Sequence, residues 1–579
     1  MKRCLPVISI TLLIIIILPF FSVHESLSAA GRKVPGRVEA VFYNGRIYTF
    51  DGKMSVVGAL AVSGGRIAAV GKDEDILGLS HPGTVKYDLK GRTVIPGLVD
   101  AHAHFSGFAV SRSWLDLVGT VSLDEIVRLV DARAGAAIPG EWIQGRGWDQ
   151  NDWETGVFPS RRDIDGVCPE NPAILIRVCG HAALVNTVAL KMAGIDSSTP
   201  DPMGGKIKKD EKGDPTGILI DEAITLVRDL VPEPGRDKKK DLIRDASQAC
   251  LAVGLTGVHD MGIGSQTASI YMDLYRDEEL PIRLTAYYDS DAADIDSLID
   301  AGLIKDFADG RFEVVGVKFY MDGSLGARSA ALLDDYSDDP GNRGMLVLDE
   351  VEMMKRILDC ARRDIPVSVH AIGDRGNRTI LDILEKVNGL SGKTGLRHRI
   401  EHAQILNPDD IPRFMQIGVI PSMQFTHCTS DMPWAGDRLG DERLVGAYAW
   451  RSLMNTGCCI PGGSDFPVES IDPLLGIYAA VTRADLEGNP AGGWFPGQCL
   501  TVEEAVRSFT IYAARAVDQK NDRGTLEAGK FADFVVLSSD IMNVAPDDIP
   551  SIDIVATIIG GTVEYKSDLF SAQDATGSP

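Results

Sequence analysis

The sequence predicts an α/β fold built on a closed, TIM-like (β/α)8 barrel, with a small composite β-sandwich domain made from both chain ends and a long insertion after barrel strand one. Three observations predict it. Eight apolar strand candidates alternate with helical patterns over residues 94–520. Two β-rich stretches, residues 38–93 and 521–566, flank them with short runs separated by Gly-containing turns. The interval between the first two barrel strands, residues 106–252, is far too long for one crossover and is expected to hold a lid subdomain.

The elements follow in chain order. Residues 1–30 open with Lys2 and Arg3, continue uncharged from Cys4 to Val23, and end near Ser28, Ala29 and Ala30, small residues suited to cleavage. This is expected to be a cleaved signal peptide or an uncleaved N-terminal anchor. In either case the remainder is expected to be exported, periplasmic or extracellular, touching a membrane only if the leader stays. The barrel candidates are "TVIPGLVDAH", "LTGVHDMG", "IRLTAYYD", "FEVVGVKFYMDG", "IPVSVHAIGD", "LRHRIEHAQ", "GVIPSMQ" and "CCIPGGSD". Helix starts within the alternating region carry capping-box spacing, Asp349 before Glu352 and Thr501 before Glu504. Residues 567–579 are expected to form a flexible tail.

Composition is globular, with 44% hydrophobic and 24% charged residues. Lys and Arg number 58 against 82 Asp and Glu, and the formal charge of −24 opposes nucleic acid and anionic lipid as partners. Nine cysteines show no regular framework, and Cys250, Cys360, Cys458 and Cys459 read as buried thiols in apolar stretches. One or two disulfides stay open, as does a homodimer.

His102 and His104 in "GLVDAHAHF" are two apart, so on a strand both face the same side, the spacing that a pair of imidazole ligands needs. Lys318, His370, His402 and Asp465 end strands four, five, six and eight. Active sites of this architecture form at that end of the barrel. A lysine or aspartate in an apolar strand is costly unless paired or coordinated.

Together with "KFYMDGSLGARSA", "HAIGDRGN", "RIEHAQ" and "GGSDFPV", these residues resemble the amidohydrolase superfamily, in its family 3 branch of N-substituted formamide deformylase-like hydrolases. The resemblance covers nearly all of the chain after the leader. It implies that His102, His104 and Asp465 bind one divalent metal ion and His370 and His402 a second, with one or two ions in all and zinc first. It implies Lys318 as a bridging N6-carboxylysine, which replaces a repelling ammonium by two anionic oxygens. The implied reaction is attack of a metal-activated hydroxide on an amide carbonyl, with Asp465 as general base.

Other residues carry two readings each. His181, in a "GHAALVN" segment similar to one near the family's active site, is a substrate contact or a structural histidine. His259 or Asp260 supports the ligands or packs strand two, and His427 lines the substrate pocket or does not. Asp322 and Arg328 order the loop after the lysine strand or act in the site, and Asp374 orients ligands or, the favoured reading, caps the next helix. Trp148, with Trp142 and Trp153 in "GEWIQGRGWDQNDWETG", forms a substrate wall or a satellite core.

The expected function is hydrolysis of non-peptide carbon to nitrogen bonds, in a small-molecule N-acyl or N-formyl amide. The alternatives are a deaminase, a cyclic amidase or ureidase, or a non-catalytic small-molecule-binding or regulatory protein.

Overall fold

The computed structural model describes residues 36–570 other than 179, 181, 203, 204 and 394, and the backbone of Ala575–Thr576. The leader, residues 1–30, lies outside the described residues. Among the described residues no helix is long and apolar enough to cross a membrane.

Eight parallel strands form the barrel in sequence order: β1 Leu98–Ala103, β2 Leu255–Ile263, β3 Arg283–Asp289, β4 Phe312–Tyr320, β5 Val367–Ala371, β6 Arg399–His402, β7 Ile420–Gln424 and β8 Gly462–Gly463. Each coincides with one of the eight apolar runs. The strands are buried almost throughout, because helices cover the outside and side chains fill the lumen. Closure comes just beyond β8, where the Asp465 amide donates to the His102 carbonyl and the His104 amide to the Phe466 carbonyl, both at 2.8 Å. Gly463 permits this approach, since a Cβ there would lie 2.6 Å from the His102 amide nitrogen.

The capping residues do what their chemistry requires. Thr501 and Glu504 form a reciprocal capping box on helix Val502–Arg507. Asp349 caps Val351 and Glu352 at the start of helix Glu350–Arg362, while the Glu352 carboxylate turns to Lys355 at 3.2 Å.

The composite β domain is a sandwich of two sheets. One orders Ala575–Thr576, Val85–Asp88, Ala40–Tyr43, Ala59–Ser63 and Arg66–Gly71; the other orders Thr562–Lys566, Ile554–Ile559, Phe534–Leu537, Thr93–Pro96, Arg46–Tyr48 and Val56–Val57. The run "TVIPGLVDAH" is therefore two strands: Thr93–Pro96 pairs with Phe534–Leu537, and β1 begins after Gly97. A Cβ at Gly97 would meet Thr256 Oγ1 at 2.2 Å, so the chain turns from sandwich to barrel through a gap only glycine fits. The expected tail also contributes, with Phe570 buried against the Tyr87 ring at 6.0 Å and Ala575–Thr576 paired to Tyr87 and Lys86.

The insertion contains its own six-stranded sheet, ordered Gly205–Lys209, Pro215–Asp221, Ala182–Val185, Ala173–Arg177, Ile143–Trp148 and Leu115–Asp116. Trp148 is a correction to the substrate-wall reading. It is 0% exposed inside this subdomain, with its indole N–H donating to the Leu175 carbonyl at 2.8 Å and its ring 6.1 Å from that of Trp153. An indole so placed packs and satisfies its polar edge, so Trp148 belongs to a satellite core. The seven described cysteines are free thiols, five of them buried.

Candidate metal centre

The site is assembled at the C-terminal ends of the barrel strands. His102 and His104 are both directed by β1 towards Asp465, whose Oδ1 lies 3.4 Å from His102 Nε2 and 3.2 Å from His104 Nε2. The other oxygen, Oδ2, lies 3.8 Å from His427 Nε2. His102, His104 and Asp465 can gather ligand atoms within 4.8 Å of one another, and so can His402, His427 and Asp465.

Backbone strain aims two of these groups. His402 has φ +71° and Asp465 φ +62°, left-handed values that non-glycine residues adopt at a cost of order 1–3 kcal/mol. On β6 the turn at His402 breaks the in-and-out alternation. Arg399 and Glu401, which share one face of the strand, reach into the barrel, and His402 reaches the site as well.

Beneath the ligands lies a buried polar chain. His102 Nδ1–H donates to Glu401 Oε2 at 2.6 Å, Ser368 Oγ–H donates to Glu401 Oε1 at 2.6 Å, and Arg399 Nε meets Oε1 at 2.7 Å. Arg399 further donates to the Ala101 carbonyl at 2.6 Å, to Ser422 Oγ at 2.7 Å and to His259 Nδ1 at 3.1 Å. With Nδ1–H committed, His102 presents the lone pair of Nε2 to the mouth. His402 is fixed in the same way, Nδ1 to Gln424 Oε1 at 2.7 Å. Asp100 ties the two ends of the barrel seam together, accepting from the His102 amide at 3.0 Å and from Ser464 Oγ at 2.7 Å; burial pushes its carboxyl up to about 7.

Charge follows burial and partners. Burial opposes ionisation of Asp465, yet the imidazoles of His102 and His104 close beside it hold its carboxyl well below the ordinary value. Burial holds His402 neutral far below its ordinary value and His370 down to about 3. Lys318, on β4, is 1% exposed, and burial lowers its ammonium to about 8. Its nitrogen sits 5.3 Å from the Tyr320 ring centroid.

The remaining residues separate by place. His370 ends β5 with its ring 4.6 Å from that of His402, but its Nε2 lies 3.3 Å from the Gly323 carbonyl. Asp322 accepts amides from Ala331, Ile372 and Gly373 at 2.8–2.9 Å, tying the loop after β4 to the loop after β5. Arg328 forks onto Asp338 at 3.0 and 2.7 Å within that first loop. Asp374 accepts from Leu333 and Arg375 amides at the start of helix Asp374–Ser391. His259 reaches the ligands through Arg399, and Asp260 fixes Phe105, just past His104, through its amide at 2.9 Å. His181 lies outside the described residues.

Sequence reasoning did not single out Arg399, Glu401, Gln424, Asp100 or Ser464. The signal for the first two was the R-x-E alternation in "LRHRIEHAQ", two opposite charges with period two on a barrel strand.

His102 Nε2, His427 Nε2 and Asp465 Oδ1 are buried and lack hydrogen-bond partners. Buried polar atoms are otherwise almost always paired, and imidazole nitrogens with a carboxylate are a zinc-type donor set. The residues fit a divalent cation. Next to them a cleft of about 680 Å³ runs between insertion and barrel, lined by Phe108 and Trp114, Val118 and Val178, and Pro467 to Ile471 just past Asp465.

The sequence pattern of the amidohydrolase family matches residues 86–565. Protein LONG AFTER FAR-RED 3 of Arabidopsis thaliana is 36% identical over 532 residues, 90% of this chain and 91% of that protein. N-substituted formamide deformylase of Arthrobacter pascens is 28% identical over 545 residues, 91% and 98% of the two chains. Among solved structures, a metal-dependent hydrolase from Pyrococcus horikoshii OT3 superposes with a TM-score of 0.74 at 28% identity, over 88% of this chain and 99% of that one.

Proposed function

The chain belongs to the amidohydrolase family, a family of metal-dependent hydrolases, and from that premise we propose that it hydrolyses N-acyl or N-formyl amides of small organic amines. One observation carries the proposal: three buried, unpartnered ligand atoms from β1, the end of β8 and the segment after β7 converge at the barrel mouth. The amide preference is supported by the likeness to the formamide deformylase.

In this reading His102, His104 and Asp465 would hold one cation, and the resemblance implies His370 and His402 for a second, with Lys318 as a further ligand once carboxylated. A divalent cation such as zinc supplies a Lewis acid and lowers the pKa of water from 15.7 towards about 7. Glu401 and Gln424 hold His102 and His402 in the tautomers that leave Nε2 free. Asp465 takes the proton as the water oxygen attacks the amide carbonyl, then delivers it to the leaving nitrogen, so that carboxylate and amine are released. The lowered Lys318 ammonium leaves more neutral amine to add to carbon dioxide, forming a nitrogen to carbon bond with loss of one proton and giving the carbamate. The insertion shields the mouth and its cleft seats the organic part of the substrate.

The test is metal analysis of purified protein together with amine release from N-formyl, N-acetyl and longer N-acyl amines, before and after chelation. We expect release that disappears with the metal and returns on reloading. No release from any amide would sink the assignment, and ammonia from aminated heterocycles would move the enzyme to the deaminases. We further propose, on the leader of residues 1–30, that the enzyme works outside the cytoplasm; fractionation of cells with the leader kept or deleted tests this.

A further inference from the structure

We propose that His427 is a metal ligand, and that a second cation is seated by His402 Nε2, His427 Nε2 and Asp465 Oδ2. The inference rests on the metal-dependent reading above and differs from the ligand set implied by the resemblance.

The Asp465 carboxylate divides its oxygens. Oδ1 faces His102 and His104 at 3.4 and 3.2 Å, whereas Oδ2 faces His427 at 3.8 Å on the other side. A carboxylate so placed serves one cation with each oxygen. His402 offers only Nε2 to the mouth, because Nδ1 is held by Gln424. Gln424 is also the residue from which helix Phe425–Leu439 departs, and His427 lies in its first turn. One strand end therefore fixes the first imidazole and delivers the second.

The two rings lie nearly parallel, 16° apart with centroids 5.8 Å from one another, so both imidazoles stand side by side at the mouth. His427 Nε2 is buried without a hydrogen-bond partner. A histidine placed only to line a pocket has no reason to leave a buried nitrogen unpaired, since an unmade hydrogen bond of this kind costs roughly 1–3 kcal/mol. His370, by contrast, already has its Nε2 3.3 Å from the Gly323 carbonyl and 3.6 Å from Asp322. Among the described residues it joins neither group of three.

The full chain is stripped by a chelator and reloaded with zinc alone, and zinc per chain and the second ion's affinity are read by competition with a chromophoric chelator. We expect wild type to bind two ions and His427→Ala to lose the second, its affinity falling more than roughly 100-fold, beyond the effect of removing a supporting partner. His427→Cys keeps a ligand at the position, and with cobalt it is expected to show a thiolate-to-metal charge-transfer band that wild type lacks. Wild-type affinity for the second ion in His427→Ala, with no such band in His427→Cys, would overturn the assignment and leave the first ion untouched. If wild type takes up no zinc at all, the metal-dependent reading itself fails.

Discussion

His102 Nδ1 and Glu401 Oε2 lie 2.6 Å apart with both side chains 0% exposed. A carboxylate so deep in a barrel requires its own counter-charge, and Arg399 supplies it from two residues away on the same strand face. The pair sets the tautomer and direction of a proposed ligand, so each prediction below starts from a group whose surroundings dictate its behaviour.

Glu401→Gln keeps the volume but leaves the Arg399 guanidinium buried without its partner. We expect zinc affinity to fall about 10–100-fold and stability by about 3–5 kcal/mol. Chelator competition and denaturant melts measure the two effects. A folded variant with unchanged zinc affinity would remove Glu401 from the orientation of His102.

Asp465→Asn keeps an oxygen that can face the histidines but removes the base. Turnover of amide substrates is expected to fall about 10²–10⁴-fold while the protein still takes up zinc. Single-turnover amine release with parallel metal analysis checks this. An active Asn variant would show that the proton goes elsewhere.

Gly463→Ala places a methyl 2.6 Å from the His102 amide nitrogen and 2.8 Å from Asp100 Oδ1 at the barrel seam. We expect overpacking to cost about 1–3 kcal/mol and to weaken metal binding by shifting Asp465. Gly52→Ala, with open space around the added methyl, is the control and should change stability by less than about 0.5 kcal/mol. Equal melts for the two variants would contradict the closure at the seam.

Trp148→Phe retains the ring but leaves the Leu175 carbonyl without its indole donor. Stability of the insertion is expected to fall by about 1–3 kcal/mol, visible as faster proteolysis within residues 115–221, with KM for amides unchanged. A large change in KM at unchanged stability would restore Trp148 to the substrate wall.

Glu504 is held down to about 2, first by its hydrogen bonds with Arg451 and then by the Thr501 amide. Its folded value is below the unfolded one, so its stabilisation is present above about pH 4.3 and is lost as pH falls towards 2. The stability difference between wild type and Glu504→Gln should therefore shrink across that window in melts taken at successive pH values. A constant difference would exclude the ionised carboxylate as its source.

The barrel was legible because its strands are short apolar runs at regular intervals, and His102 with His104 because period two puts both on one face. Other features depended on facts a linear reading does not contain. The left-handed turn at His402 decides which way that imidazole faces, and nothing in "RIEHAQ" announces it. That the charges of Arg399 and Glu401 are buried becomes evident only once β6 is known to be surrounded on every side. "TVIPGLVDAH" reads as one strand because the partner that claims its first half, Phe534–Leu537, comes from the far end of the chain. Trp148 shows the converse: tryptophans beside acids look like a wall to a reader who cannot see that the indole N–H already has a carbonyl.

The sandwich shared by the two chain ends also imposes a schedule on biosynthesis. Tyr48 donates to Asp540 at 3.1 Å across a separation of 492 residues. At a ribosomal pace of roughly 5–20 residues per second, the early strands wait between about half a minute and a minute and a half for their mates. During that delay Thr93–Pro96 presents an apolar, unpaired edge that invites wrong pairings. The nascent polypeptide must be shielded until its last strands emerge.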